Sequence, residues 1–152
     1  NAIARTLPEA RIIYPVHLNP NVRLPVFELL KDTPNVYLEE PLPHKAFIRL
    51  MAASKMVLSD SGGIQEEAPS LGTPVLIMRN TTERPEGVES GVNMLVGTTP
   101  DSIIRHTVRL MTDSKAYAAM SAKPNPYGDG HASERIVDTL YCTMCCPHKA
   151  AA

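Results

Sequence analysis

Tryptophan is missing from this 152-residue chain, and two phenylalanines and five tyrosines bring its aromatic content to only 5%. With 15 Lys+Arg against 16 Asp+Glu and no basic cluster, that scarcity excludes nucleic-acid binding through a basic face or a stacking platform. No apolar run approaches a membrane span and the first residues carry no signal-peptide pattern, which predicts a cytoplasmic protein without a membrane partner. Cysteine is absent from the body, since Cys142, Cys145 and Cys146 all crowd into the C-terminal tail, as suits a reducing compartment. The tail Cys142-x-x-Cys145-Cys146-x-His148 has metal-ligand types at short spacing. A closed zinc site needs a second ligand pair, however, and the body offers no Cys/His cluster. The tail is therefore expected to be a frayed end with exposed thiols, tipped by Lys149 to Ala152. The length suits one domain with a real core. Asn1 in place of Met, before a stretch from Ala2 to Ala10 that reads as the tail of a helix, is expected to mark a piece of a longer protein.

Short apolar runs alternate with helical patterns. Arg11 to Val16 reads as a strand that Pro15 interrupts and ends, Asn35 to Leu38 as a second, Lys55 to Ser59 as a third, Pro74 to Met78 as a fourth and Val92 to Val96 as a fifth. Helical patterns cover Asn21 to Lys31, Pro43 to Ser54, Gly62 to Leu71 with Gly72 as its stop, Glu83 to Glu89, Pro100 to Met111, Ser114 to Ala122 and His131 to Tyr141. This order predicts an α/β domain, a Rossmann-like open parallel sheet with helices on both faces.

In such sheets ligands bind beyond the carboxyl ends of the strands. One rim then holds His17, Pro41-Leu42-Pro43, Asp60-Ser61-Gly62-Gly63 and the loop from Arg79 to Arg84. The glycine pair carries the most information, because it leaves a strand and opens a helix. Ser61 is placed to cap that helix, and the N–H groups of Gly62, Gly63 and Ile64 lack intrahelical acceptors. Without Cβ atoms at Gly62 and Gly63, an anion can reach those donors and the positive end of the helix dipole. An ordinary capped helix would use the same residues. No Gly-Lys-Ser/Thr follows and Gly-x-Gly-x-x-Gly is absent, which disfavours an ordinary NTPase or dehydrogenase.

Three further stretches extend the pattern: Tyr14-Pro15-Val16-His17-Leu18-Asn19-Pro20, Arg79-Asn80-Thr81-Thr82-Glu83-Arg84-Pro85-Glu86 and Asn125-Pro126-Tyr127-Gly128-Asp129-Gly130. Together with Asp60-Ser61-Gly62-Gly63-Ile64-Gln65-Glu66-Glu67-Ala68-Pro69, they closely resemble the non-hydrolysing UDP-N-acetylglucosamine 2-epimerases. The resemblance runs to about Leu140. It implies the C-terminal, UDP-binding half of a two-domain glycosyltransferase-B architecture over residues 1–141, with 142–152 as an unmatched tail. It also implies a homodimeric full-length enzyme, with UDP-N-acetylglucosamine and UDP as small-molecule partners and an N-terminal domain of the same protein.

Residue by residue, the resemblance gives Ser61, Gly62 and Gly63 the diphosphate, Glu67 the ribose, Arg84 the phosphates or sugar, and Phe47 a face of the uracil. Backbone groups near Leu42 would select the base, and His17 would face the cleft between domains. Each has another reading: Phe47 as one member of a core stripe with Leu50 and Met51, Glu67 as a solvated helix carboxylate, His17 as a structural histidine. Arg79 has no matching role and is expected to be structural.

The implied reaction inverts C2 of the sugar by eliminating UDP to a glycal and adding it back, with no metal or redox cofactor. Arg84 and Ser61 would stabilise the leaving diphosphate without moving a proton. No catalytic acid is assigned here, because Glu66, Glu67, Glu83, Glu86 and Glu89 form no isolated pair and the family's acids lie on the N-terminal domain. A glycosyltransferase of the same architecture, a hydrolysing epimerase and a non-catalytic nucleotide-sugar sensor share the nucleotide half. The Gln65-Glu66-Glu67 and Thr81-to-Glu86 signatures argue against the transferase.

Overall fold

Each strand that leads on to another does so through helical structure that returns the chain to its starting end, so the strands that pair do so in parallel. The computed structural model of the chain describes residues 1–145. In order come α1 (Ala2–Thr6), β1 (Ile12–Pro15), α2 (Pro20–Leu30), β2 (Val36–Glu39), α3 (His44–Ala53), β3 (Val57–Ser59) and α4 (Gly62–Glu67). They are followed by β4 (Val75–Ile77), α5 (Pro85–Glu89), β5 (Asn93–Leu95), α6 (Pro100–Thr112), α7 (Ser114–Ser121) and α8 (Ala132–Cys145). The parallel α/β class read from the sequence is the one observed.

One feature of that reading changes. In place of one continuous sheet, β1 pairs only with β2, and β3, β4 and β5 form a separate ladder, with nothing joining the two among the described residues. Ile12 lies opposite Val36, Val57 opposite Val75, and Val75 opposite Asn93. Pro15 leaves the β1–β2 ladder intact, because Tyr14 and Val16 carry the donors on that side and Val16 N–H reaches Glu39 O at 2.9 Å.

The core is built on β4, whose three residues are fully buried. Val75 and Ile77 face one side with Val57 and Leu95, under Phe47, Met51, Ile64, Ala68 and Val88 from α3 to α5. Leu76 faces the other with Leu58 and Met94, under Ile103 and Leu110 of α6 and Tyr117 and Met120 of α7. Each fully buried side chain of this size contributes about 1.5–3 kcal/mol.

Boundaries follow local chemistry. The expected helix from Gly62 to Leu71 stops being α-helical at Glu67, and residues Ala68–Leu71 tighten into a 3₁₀ turn. Pro69 has no N–H to give the Gln65 carbonyl, which accepts instead from Asn93 Nδ2 at 3.0 Å. Gly72 ends the turn in the left-handed region, with φ +68. The helix expected from Glu83 begins at Pro85, a residue suited to the first helical position. The first helix covers Ala2–Thr6 and not the whole stretch to Ala10. At the other end α8 runs through Cys145 where a frayed tail was expected from Cys142.

Candidate functional site

Parallel strands point their carboxyl ends the same way, so the turns after β3 and β4 adjoin. Ser61 takes the N-cap position of α4 with extended backbone (φ −77, ψ 132), yet its side chain makes no capping bond. That corrects the expected cap. The Ser61 N–H turns back to Ser59 Oγ at 3.0 Å, and with no bond from the Ser61 hydroxyl the first N–H groups of α4 have no capping side chain.

Arg84 lies over this helix start. A Cβ on Gly62 would sit 3.0 Å from Arg84 Cζ and Nη1, whereas a Cβ on Gly63 would meet nothing within 4 Å. Gly62 therefore admits the guanidinium, and Gly63 opens free space beside it. Arg84 Nε donates to Glu66 Oε1, and Nη1 reaches Glu83 Oε2 at 3.3 Å. The Glu66 carboxylate, chiefly through this hydrogen bond, holds the Arg84 pKa above its ordinary value. With Nε occupied by Glu66, the Nη end of the guanidinium is the part turned toward Gly62.

The loop that carries Arg84 is braced from inside. Arg84 N–H donates to Thr82 Oγ1 at 3.1 Å, and that hydroxyl donates to Gln65 Oε1 at 2.6 Å. Gln65 is fully buried and its Nε2 reaches Ser61 O at 3.3 Å. From the far side, Tyr127 Oη donates to Arg84 O at 3.4 Å. Burial is the main cause that raises the Tyr127 pKa and keeps the phenol protonated.

The other sequence-marked residues occupy different surroundings. Glu67 is half-buried, with Oε2 3.4 Å from Nε2 of His44, the first residue of α3. Phe47 lies one turn further along α3 and packs against the Met51–Ala68–Val75–Ile77 cluster. Leu42 is half-buried in the link from β2 to α3. His17 is exposed and bonds within its own turn, Nδ1 accepting the Asn19 N–H at 3.1 Å. Arg79 supports the β4–β5 exit, its carbonyl accepting Gly97 N–H at 3.1 Å. The structure thus gathers Ser61, Gly62 and Arg84, and joins Glu67 to α3 through His44.

Sequence reasoning quoted Gln65, Thr82 and Tyr127 within motifs but gave them no bracing role, missed the contact of His44, and weighed Glu66 as a possible acid and as part of a signature without seeing that it holds Arg84. One signal was available: Gln65 shares a helix face with the apolar Ala68 and Pro69, both buried, and a polar residue there needs internal partners. Glu66 and Glu83 bracket one arginine, so neither stands as half of an isolated acid–base pair.

A cavity of about 400 Å³ lined by Ala4, Arg5, Pro8, Leu29 and Asn35 lies at the opposite, amino ends of β1 and β2 and is separate from this rim. Among the described residues no three His, Cys, Asp or Glu side chains cluster as a metal site. Cys142 is exposed, while Cys146 and His148 lie outside the described residues.

The sequence profile described as UDP-N-acetylglucosamine 2-epimerase matches residues 1–141. The chain belongs to the UDP-N-acetylglucosamine 2-epimerase family. It is 58% identical over 139 residues to a probable UDP-N-acetylglucosamine 2-epimerase of Ralstonia solanacearum, a match that covers 91% of this chain and 37% of that protein. The chain therefore spans little more than a third of such relatives. Among solved structures, the UDP-GlcNAc 2-epimerase of Neisseria meningitidis bound to UDP-GlcNAc superposes with a TM-score of 0.88 at 49% identity, over 91% of this chain and 38% of that one. The co-structure of S. aureus MnaA with UDP gives 0.87 at 41% identity, over 95% and 40%. The α/β fold is shared with these members of the family across the part the chain covers.

Proposed function

We propose that residues 1–141 form the C-terminal, UDP-binding domain of an enzyme that interconverts UDP-N-acetylglucosamine and UDP-N-acetylmannosamine by eliminating and re-adding UDP. The observation that carries this reading is the Arg84 guanidinium directly over Gly62, beside open space at Gly63 and the uncapped start of α4. Two cationic N–H donors and several backbone donors converge where a diphosphate would sit. The relatives solved with UDP-GlcNAc or UDP share this fold.

In this reading the Gly62 and Gly63 N–H groups and Arg84 grip the diphosphate. As the glycosidic bond breaks, negative charge grows on the departing UDP, and donors already aimed there lower the barrier. The same contacts retain UDP for re-addition. Glu67 accepts the ribose hydroxyls, Phe47 presents its exposed edge to the base, and backbone groups near Leu42 select uracil. His17 faces the cleft. The proton-transferring carboxylates come from the part of the longer, homodimeric and cytoplasmic enzyme outside this chain, so the chain alone binds UDP without turning over.

Titration of the folded chain with UDP, then ADP and CDP, following the Gly62 and Gly63 amides by NMR, tests the site. Saturable shifts with UDP, weaker with the others and lost in Arg84→Ala, are expected. Absence of any UDP response in a folded sample overturns a preformed site. Epimerisation by the 152-residue chain alone overturns the placement of the acids elsewhere.

A further inference from the structure

Pro43 and Gly63 stand behind the meeting of His44 with Glu67. Pro43 enters α3 at φ −55 and ψ 143, and its carbonyl accepts the N–H groups of Ala46 and Phe47 at 2.9 and 3.0 Å. The ring fixes that φ, so the helix starts in one geometry. His44 then heads a stripe at helical spacing, with Phe47, Ile48 and Met51 following it into the core. On α4, Glu67 comes four residues after Gly63, hence on the same face and about 6 Å further along the axis. An anion in the open space beside Gly63 is therefore followed along that face by the Glu67 carboxylate.

The two glutamates next to this path are held differently. Glu66 is taken up by Arg84. Among the described residues Glu67 pairs only with His44, Oε2 to Nε2 at 3.4 Å. That contact meets one carboxylate oxygen and leaves Oε1 clear for a ligand. With 74% of the His44 side chain and 41% of the Glu67 side chain exposed, the pair adds little to the stability of the fold. What it changes is where the carboxylate stands. A glutamate loses rotamer freedom when it accepts from a ligand, and that loss costs affinity unless a neighbour restrains the side chain beforehand. A donor at Nε2 also offsets the repulsion between the carboxylate and an anion one turn away.

We propose that His44 is a positioning residue, which holds the Glu67 carboxylate in place for the ribose of a ribonucleoside diphosphate. This role rests on the proposed reading of Glu67 as the ribose ligand and adds a second residue to it. The order along the rim is then base at Leu42 and Phe47, ribose at Glu67 with His44 against its other oxygen, and diphosphate at Gly63 and Arg84.

Calorimetric titration of the longer protein with UDP and with 2′,3′-dideoxy-UDP, which lacks both ribose hydroxyls, tests this role. The unaltered protein is expected to prefer UDP by about tenfold or more, the scale of hydrogen bonds to a charged acceptor. His44→Ala should weaken UDP about three- to tenfold and leave dideoxy-UDP unchanged, so that the preference shrinks. In a Glu67→Ala background the same change should affect neither nucleotide further. An undiminished preference in His44→Ala overturns the role of His44 and leaves Glu67 as the ribose ligand. Equal weakening of both nucleotides, or a further loss in the Glu67→Ala background, also overturns it, since His44 would then serve something other than Glu67. No preference in the unaltered protein overturns the ribose reading itself, and the role of His44 with it.

Discussion

Thr82 Oγ1 donates to the buried Oε1 of Gln65 at 2.6 Å and accepts Arg84 N–H at 3.1 Å, so one hydroxyl locks the site helix to the loop that carries its arginine. Thr82→Val keeps the shape and removes the donor, leaving a buried carbonyl oxygen unsatisfied. A loss of about 1–3 kcal/mol is expected in urea unfolding, together with weaker UDP binding as Arg84 loses its backbone anchor. Unchanged stability would show that the brace carries no strain-bearing role.

Glu66 both positions Arg84 and opposes the anion that Arg84 would bind. Glu66→Gln keeps an oxygen for Arg84 Nε but deletes a negative charge beside the proposed diphosphate. UDP is expected to bind about three- to tenfold more tightly at low salt, with the gain shrinking as salt is added. Weaker binding of the variant, measured by calorimetry, would mean that the charge of Glu66 is needed to hold the guanidinium in place.

Gly87 is required by contact. A Cβ there would lie 2.3 Å from both Asn93 Nδ2 and Tyr127 Oη. Gly87→Ala is expected to destabilise by about 1–3 kcal/mol through overpacking. Adding Tyr127→Phe removes one of the two clashing atoms, so the double variant should lose less than the sum of the singles. Strict additivity in unfolding midpoints would refute the shared contact.

His106 on α6 titrates below its ordinary 6.5, first because burial disfavours the imidazolium and then because Arg105 and Arg109 repel it. With the folded value below the unfolded one, the unfolded chain binds more protons as the solution is acidified. The contribution of His106 to stability is thus complete above about 6.5 and is lost as pH falls through the folded value. His106→Gln should flatten the decline in stability between pH 7 and 5. Asp129, held down by its hydrogen bond from Arg135, titrates below its ordinary 3.8, outside that range. Parallel pH profiles for the two proteins would exclude His106 as the source.

Much of this arrangement was legible in the sequence because it depends on local rules. Apolar runs such as Pro74 to Met78 read as interior strands, and Gly72 marks the stop before β4 by backbone geometry alone. The rim followed from strand polarity, which brought Gly62 and Arg84 to one place before any distance was known. What escaped depends on partners distant in the chain. Asn93 and Tyr127 meet around Gly87, and Gln65 turns inward to Thr82, because a buried polar group takes whichever partner the tertiary fold supplies. The division of the sheet was invisible for a related reason: periodicity identifies a strand without revealing which edges remain unpaired. Ser61 departed from expectation in that its N–H bonds Ser59 Oγ while its own hydroxyl makes no capping bond to the helix start.

The ladders also bear on how the chain acquires its shape. Ile12 finds Val36, Val57 finds Val75, and Val75 finds Asn93, so every pairing joins strands that follow one another in sequence. Loop closure over such spans costs nearly the same for each pair, and short-range pairing favours rapid assembly. The β3–β4–β5 unit, with its helices and the glycine turn, can therefore organise independently of the β1–β2 pair. The glycine turn after β3 would take shape together with the β3–β4 pairing that fixes both of its ends.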